Sequence, residues 1–141
     1  MPEQGSRSIR IRCDVDQALN FLGDVDALPL WTSFYKKRLG RQGDMVRFAT
    51  PIGVSLTRVE TEYGQCGGQV TITSDFGVRI EQAVLLIEPV ECGSRSRVTL
   101  LITFPDHVPL ERRRLMLGEI EYELVRLRAR LENQPVLQAA Q

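Results

Sequence analysis

Aromatic side chains gather at one point of the sequence, shortly after Pro29. Trp31, the only tryptophan of the chain, is followed by Phe34 and Tyr35. Rings of this kind provide a large apolar area, and tryptophan and tyrosine each add a polar group. The cluster could line the mouth of a ligand pocket, or it could pack short helices against a sheet, and the sequence leaves both interpretations open.

Arg58 is a second candidate, and its role depends on which face of a strand at 54–63 points inward. If Leu56 points inward, Arg58 shares its face, and a buried arginine requires an acidic partner or an anionic ligand. If Val59 points inward, Arg58 is a solvated charge on the outer face. The sequence favours the second alternative.

The remaining polar residues argue against a cofactor. His107, the only histidine, could act as a general base near neutral pH, but a histidine beside a helix start is more often a surface or capping residue. Cys13, Cys66 and Cys92 form no C-x-x-C pair, which predicts reduced thiols rather than a zinc site. No glycine-rich phosphate loop is present. We therefore expect no metal and no redox cofactor.

Length and charge limit the class of protein. The 141 residues suffice for one domain, and the 18 basic residues balance the 18 acidic ones. A net charge of zero argues against nucleic acid or an anionic membrane surface as the main partner. The apolar runs are too short to span a bilayer and no signal peptide is recognisable, so we expect no membrane insertion and a cytoplasmic location.

Alternating apolar and polar residues predict a sheet that must position these side chains. The strands are expected at 6–13, 35–41, 44–50, 54–63, 68–75, 78–88 and 95–104. Short connections rich in turn residues join the last six, which predicts antiparallel hairpins. A short helix capped by Asp14 and Asp16 is expected to end at Leu22, and a second short helix or turn lies near 25–34, where Pro29 prevents one continuous helix.

A long C-terminal helix is predicted over 109–133, followed by a polar tail at 134–141. Its leucines recur at every seventh residue, and Ile120 and Leu127 widen the apolar stripe, which consists of Leu110, Leu117, Leu124 and Leu131. The order of elements predicts an α+β fold in which seven curved antiparallel strands surround this helix. Such a sheet leaves a hydrophobic cavity that opens near the two short helices.

This element order, together with the segment FLGDVDALPLW at 21–31, resembles the SRPBCC superfamily. That superfamily includes START-type lipid-binding domains, pathogenesis-related plant proteins and polyketide cyclase/dehydrase proteins. The resemblance covers residues 6–133. It implies a helix-grip fold, a single domain over 1–141, and an internal cavity that binds a hydrophobic small molecule.

A narrower resemblance is to the aromatic-polyketide cyclase/aromatases. Pro29 and Tyr35 have the spacing of that family's Pro-x-x-x-x-x-Tyr segment, and Arg58 precedes a valine on a strand. The resemblance implies that Tyr35 gives or takes a proton and that Arg58 holds a carbonyl or enolate oxygen. The chain departs from the family in its shorter length, in a strand without tryptophans, and in having no serine two residues before Arg58.

The resulting expectation is a cavity for a hydrophobic small molecule, in either a cyclase/dehydratase-type enzyme or a non-catalytic carrier of a lipid or aromatic metabolite. A structural interaction domain with a filled core is the third alternative, and a homodimer remains open. The side chains expected to line the cavity are Trp31, Phe34, Phe48, Tyr63, Phe76, Phe104, Met116, Leu117 and Ile120.

Overall fold

The computed structural model describes residues 3–104 and 108–140, so the roles considered for His107 lie outside the described residues. The elements follow in the order β1 (Glu3–Ile11), α1 (Val15–Leu22), α2 (Leu28–Trp31), β2 (Lys37–Gln42), β3 (Met45–Thr50), β4 (Gly53–Tyr63), β5 (Gly68–Asp75), β6 (Ile80–Val90), β7 (Arg95–Phe104) and α3 (Leu110–Ala140). Single 3₁₀ turns at Val25–Ala27 and Glu91–Gly93 complete the list.

All seven strands form one antiparallel sheet in the order β1-β7-β6-β5-β4-β3-β2. Strands β2 to β7 are successive hairpins, and β1 adds to the sheet beside β7, with Ile9 opposite Val98. The predicted α+β class, the seven strands, the two short helices and the long C-terminal helix are all confirmed.

Helix α1 is capped at its start, and contacts with the sheet position both α1 and the turn before α2. The Asp14 carboxylate accepts a hydrogen bond of 2.8 Å from the backbone N–H of Gln17, as the predicted N-cap of α1 requires. The apolar face of α1 lies close to β5, because a Cβ on Gly68 would be 2.8 Å from the Leu19 side chain. Asp26, in the turn before α2, forms ion pairs with Arg38 and Arg41 of β2. These contacts place α2 and the loop after it at one end of the sheet.

The core lies between the inner face of the sheet and α3. Alternate strand residues point inward, which is the expected period of two. The largest fully buried side chains include Trp31, Phe48, Ile11, Leu19, Leu22, Leu28, Leu85, Ile87, Leu124, Leu127 and Leu131.

Two predictions about α3 are wrong. The helix continues to Ala140 instead of ending at Asn133. The apolar stripe does not begin at Leu110, which is 58% exposed. On the inward side of α3, Leu117 is half-buried and Ile120 is the first buried residue. The first turns of the helix therefore stand away from the sheet.

Candidate functional site

Four aromatic rings meet where the loop after α2 approaches the turn between β5 and β6. The Phe34 ring lies 5.0 Å from that of Tyr35 and 6.2 Å from that of Phe76, both edge to face. On the inner side, Tyr35 packs edge to face against Phe48 at 5.3 Å. Such pairs stabilise beyond their buried area. Phe34 and Phe76 thus cover one end of the concave face, above Tyr35 and Phe48.

Beneath these rings, four buried hydroxyl groups form a continuous chain of hydrogen bonds. Tyr35 Oη lies 2.7 Å from Ser74 Oγ, and Ser74 Oγ lies 3.0 Å from Thr57 Oγ1. Thr57 Oγ1 in turn lies 2.9 Å from Ser55 Oγ. Ser55 and Thr57 alternate on the inner face of β4, and Ser74 lies opposite Thr57 on β5. The concave face therefore carries a polar line within an apolar core.

The Tyr35 hydroxyl is held in its protonated form. Burial raises the pKa of Tyr35, and the charges of Glu81 and Glu123 add to the increase, while the hydrogen bond with Ser74 opposes it. A neutral phenol both donates and accepts a hydrogen bond. At neutral pH this group can therefore donate to a carbonyl, but it is a poor base.

A carboxyl group of α3 borders the same site. Glu123 Oε1 accepts a hydrogen bond of 3.3 Å from the Ser33 hydroxyl, which joins α3 to the loop that carries Phe34 and Tyr35. Burial raises the pKa of Glu123 to about 7, although its hydrogen bonds with Ser33 oppose the increase. Glu123 is therefore partly protonated near neutral pH, unlike an ordinary surface carboxylate.

The structure does not bring Arg58 together with Tyr35. On β4 the residues that point inward are Ser55, Thr57 and Val59, so Arg58 lies on the outer face of the sheet. The Nε atom of Arg58 is shielded from solvent and lies 3.0 Å from Glu60 Oε1. The two groups are not aligned for a hydrogen bond, so the contact is an ion pair. The outward position that the sequence favours for Arg58 is confirmed. The pairing of Tyr35 and Arg58 that the cyclase/aromatase resemblance implies is wrong, because the strand presents its hydroxyl residues inward.

The predicted lining residues fall into three groups. Phe34, Phe48 and Phe76 meet at the covered end, together with Tyr35. Trp31, Phe104 and Ile120 are buried in the core, and Met116 and Leu117 are half-buried on α3. Tyr63 is 68% exposed and borders a surface cleft of about 340 Å³ beside α1, so the prediction that it lines an internal site with the other aromatic residues is wrong.

Sequence reasoning missed Ser33, Ser55, Thr57, Ser74 and Glu123. A weak signal existed for two of them, because Ser55 and Thr57 alternate with the same period as Val59 and so must share its face. Nothing local pairs Ser74 with Tyr35, since that contact joins residues far apart in the chain.

The part of the chain that the structure describes contains no group of three histidine, cysteine, aspartate or glutamate residues placed to hold a metal ion. Within the same residues, no helix combines the length and apolar character needed to cross a membrane.

No protein-family model matches the sequence. A search of curated proteins likewise finds no match. Solved structures, in contrast, match almost the whole chain. A START superfamily protein from Mycobacterium smegmatis aligns with a TM-score of 0.65 at 18% identity, over 92% of this chain and 97% of that one. An uncharacterised protein from Bacillus thuringiensis aligns with a TM-score of 0.68 at 18% identity, over 92% and 98%.

The di-domain ARO/CYC protein BexL aligns with a TM-score of 0.67 at 13% identity, over 90% of this chain and 45% of that one. Identities this low support a statement about the fold alone. The chain has the START-like helix-grip fold that is typical of SRPBCC proteins.

Proposed function

We propose that this protein binds a hydrophobic small molecule that carries one polar end. The polar end would meet the hydroxyl groups of Tyr35 and Ser74, and the apolar body would contact the half-buried rings of Phe34 and Phe76. The observation that supports the proposal is the buried hydroxyl chain, which ends at Tyr35, the residue whose ring packs against Phe34.

Burial of four hydroxyl groups in a core is costly unless each is hydrogen-bonded. In a chain of hydroxyl groups, each group forms a hydrogen bond with its neighbour. Every hydroxyl oxygen has two lone pairs, so the chain can still accept a hydrogen bond from a ligand. An apolar packing arrangement would have been simpler for a purely structural core. The polar line is instead suited to orient one functional group of an otherwise apolar ligand.

Non-catalytic binding is favoured over a cyclase or dehydratase. Among the described residues the hydrogen-bond partners of the Tyr35 side chain are neutral hydroxyls. Arg58, which the resemblance assigns to an oxyanion, lies on the outer face. Reaction on a polyketide-like substrate remains the second candidate, because Glu123 has a pKa of about 7 and acts electrostatically on Tyr35. A carboxyl group of that pKa can exchange a proton near neutral pH.

The test is a titration with a long-chain fatty acid, a flavonoid and an anthraquinone, followed by native mass spectrometry and by the emission of the single tryptophan, Trp31. We expect one ligand per chain for at least one of them. Tyr35→Phe should weaken that binding about five-fold, because one neutral hydrogen bond is lost.

Tyr63→Phe is the matched control, since Tyr63 is 68% exposed and away from the aromatic rings. It should leave the affinity unchanged. Equal affinities of the two variants would show that the Tyr35 hydroxyl does not contact the ligand. If none of the three ligands binds, that result would count against the proposal.

A further inference from the structure

The α3 helix has a second apolar stripe on the side that faces away from the sheet. It consists of Leu115, Gly118, Tyr122, Val125 and Ala129, and we call it the outer stripe. Leu115 is 69% exposed, Tyr122 is 65% exposed and Val125 is 47% exposed. The inner stripe of Ile120, Leu124, Leu127 and Leu131 is buried, so the helix presents apolar residues on opposite faces.

The spacing of the outer stripe is that of a helix–helix seam. Its members follow one another at three, four, three and four residues, which places Leu115, Tyr122 and Ala129 at heptad position a and Gly118 and Val125 at position d. The seam ends at Glu132, the next d position, because that carboxylate accepts a hydrogen bond of 3.0 Å from the backbone N–H of Arg12.

Gly118 supports close approach by another chain. Glycine is among the least favourable residues inside a helix. Intramolecular packing does not require it here, because a Cβ at this position would meet no atom within 4 Å. The surface beside Gly118 carries a depression of about 380 Å³, bordered by Leu115, Tyr122 and Ser33. A side chain from a second helix would fit this depression.

The charges beside the seam indicate that the second helix is α3 of another copy of the same chain. In a parallel, in-register pair, position g of one helix faces position e of the other, five residues further on. Arg114 would then face Glu119, and Glu121 would face Arg126, so both pairs unite opposite charges. Glu121 also forms an ion pair with Arg7 at 2.5 Å, and its exposed side chain can serve both. The flanking charges are therefore complementary to those of the same sequence.

We propose that the outer stripe is the interface of a parallel homodimer, with the two α3 helices in contact and the two sheets facing outward. Leu30 of α2, 45% exposed, extends the apolar surface beside Ala129. Two antiparallel helices could also bring opposite charges together. In that arrangement, however, Leu115 would lie against Glu132 of the second copy, so the parallel arrangement keeps more apolar contacts. This interface does not depend on the ligand proposed above.

Sedimentation velocity over a concentration series tests the proposal. We expect the mass to rise from the 16.0 kDa of one chain toward twice that value. Tyr122→Glu should weaken dimerisation at least ~10-fold, because it places a charge in the apolar seam. Tyr63→Glu, on an equally exposed tyrosine outside the stripe, is the matched control and should leave the mass distribution unchanged.

A charge exchange tests the direction of the helices. Glu119→Arg alone should weaken the dimer, and adding Arg114→Glu should restore it. Restoration by Arg126→Glu instead would overturn the parallel arrangement. A protein that remains a monomer at every concentration, or a Tyr122→Glu variant that dimerises like the wild type, would overturn the interface. Unchanged thermal unfolding of the variants in dilute solution separates these results from a folding defect.

Discussion

At the scale of single residues, burial acts on two neighbouring acids with different consequences. It raises the pKa of Tyr35 above a value that is already high, so the phenol is neutral throughout the physiological range. It raises the pKa of Glu123 to about 7, which is where a small change of pH alters the charge. Of these two groups, Glu123 is therefore the one that makes the site sensitive to pH.

Glu123 should lower the stability of the protein as the pH rises. An unfolded glutamate loses its proton near pH 4.5, whereas the folded protein retains it up to a pKa of about 7. Between these values the folded state binds more protons, so the free energy of unfolding falls as pH increases through the window. The decrease should be ~1–2 kcal/mol, since solvent partly screens this half-buried group.

Urea unfolding of Glu123→Gln at pH 5 and pH 8 measures this effect. The amide can still accept the Ser33 hydrogen bond but carries no charge, so we expect the variant to be ~1–2 kcal/mol more stable than the wild type at pH 8 and similar at pH 5. Glu111→Gln, an exposed change in the first turn of α3, is the control and should not alter the difference between the two pH values. Parallel behaviour of both variants would contradict the assignment.

The sequence predicted the aromatic members of the site better than its polar members. Phe34 and Tyr35 are recognisable as part of the aromatic cluster that follows Pro29, and Phe48 lies on a strand that the alternation predicts. Alternation places Arg58 correctly on the outer face, but it does not reveal a polar site, because hydroxyl residues such as Ser55 and Thr57 look like a solvated face in the sequence. Only the partner Ser74, on the next strand, makes their burial favourable.

At the scale of elements, the close contact between α1 and the sheet depends on Gly68. A methyl group there would lie 2.8 Å from Leu19 Cδ1 and 2.9 Å from the Glu62 carbonyl oxygen. The backbone oxygen cannot move easily, so Gly68→Ala should displace α1 and reduce the free energy of unfolding by ~1–3 kcal/mol.

Gly40→Ala provides the comparison, because a Cβ at Gly40 would meet nothing within 4 Å and the strand there is at the edge of the sheet. We expect a change of at most ~0.5 kcal/mol for it. Chemical denaturation of both variants measures the difference. Equal stabilities would show that α1 can move away from β5 at no cost.

The error in α3 has a geometric cause. A strict repeat of seven residues drifts by ~20° per heptad on a straight α-helix, or ~60° between Leu110 and Leu131, so the two ends of the predicted stripe face different directions. The contact follows Ile120, Leu124, Leu127 and Leu131, and Leu110 points away. Strand number and hairpin order, in contrast, followed from short-range patterns, whereas the pairing of β1 with β7 has no local signal because it joins the two ends of the sheet sequence.

At the scale of the whole molecule, one helix completes the core that seven strands enclose. Leu124, Leu127 and Leu131 are each at most 1% exposed and belong to the same cluster as Trp31 of α2 and Ile11 of β1. A core shared in this way has no part that could remain folded after α3 separates from the sheet. Sheet and helix should therefore unfold together, in one transition.

Leu127→Ala tests this arrangement. It removes a fully buried side chain between helix and sheet, so the free energy of unfolding should fall by ~2–5 kcal/mol. Leu110→Ala, the same change at a 58% exposed position of the same helix, should cost no more than ~0.5 kcal/mol. Far-ultraviolet circular dichroism reports on all elements, and Trp31 emission reports on the core near α2, so the two transitions should coincide in the wild type and in both variants. Loss of the Trp31 signal at a lower denaturant concentration than the strand signal would mean that the sheet keeps its structure without the helix, and the single shared core would be disproved.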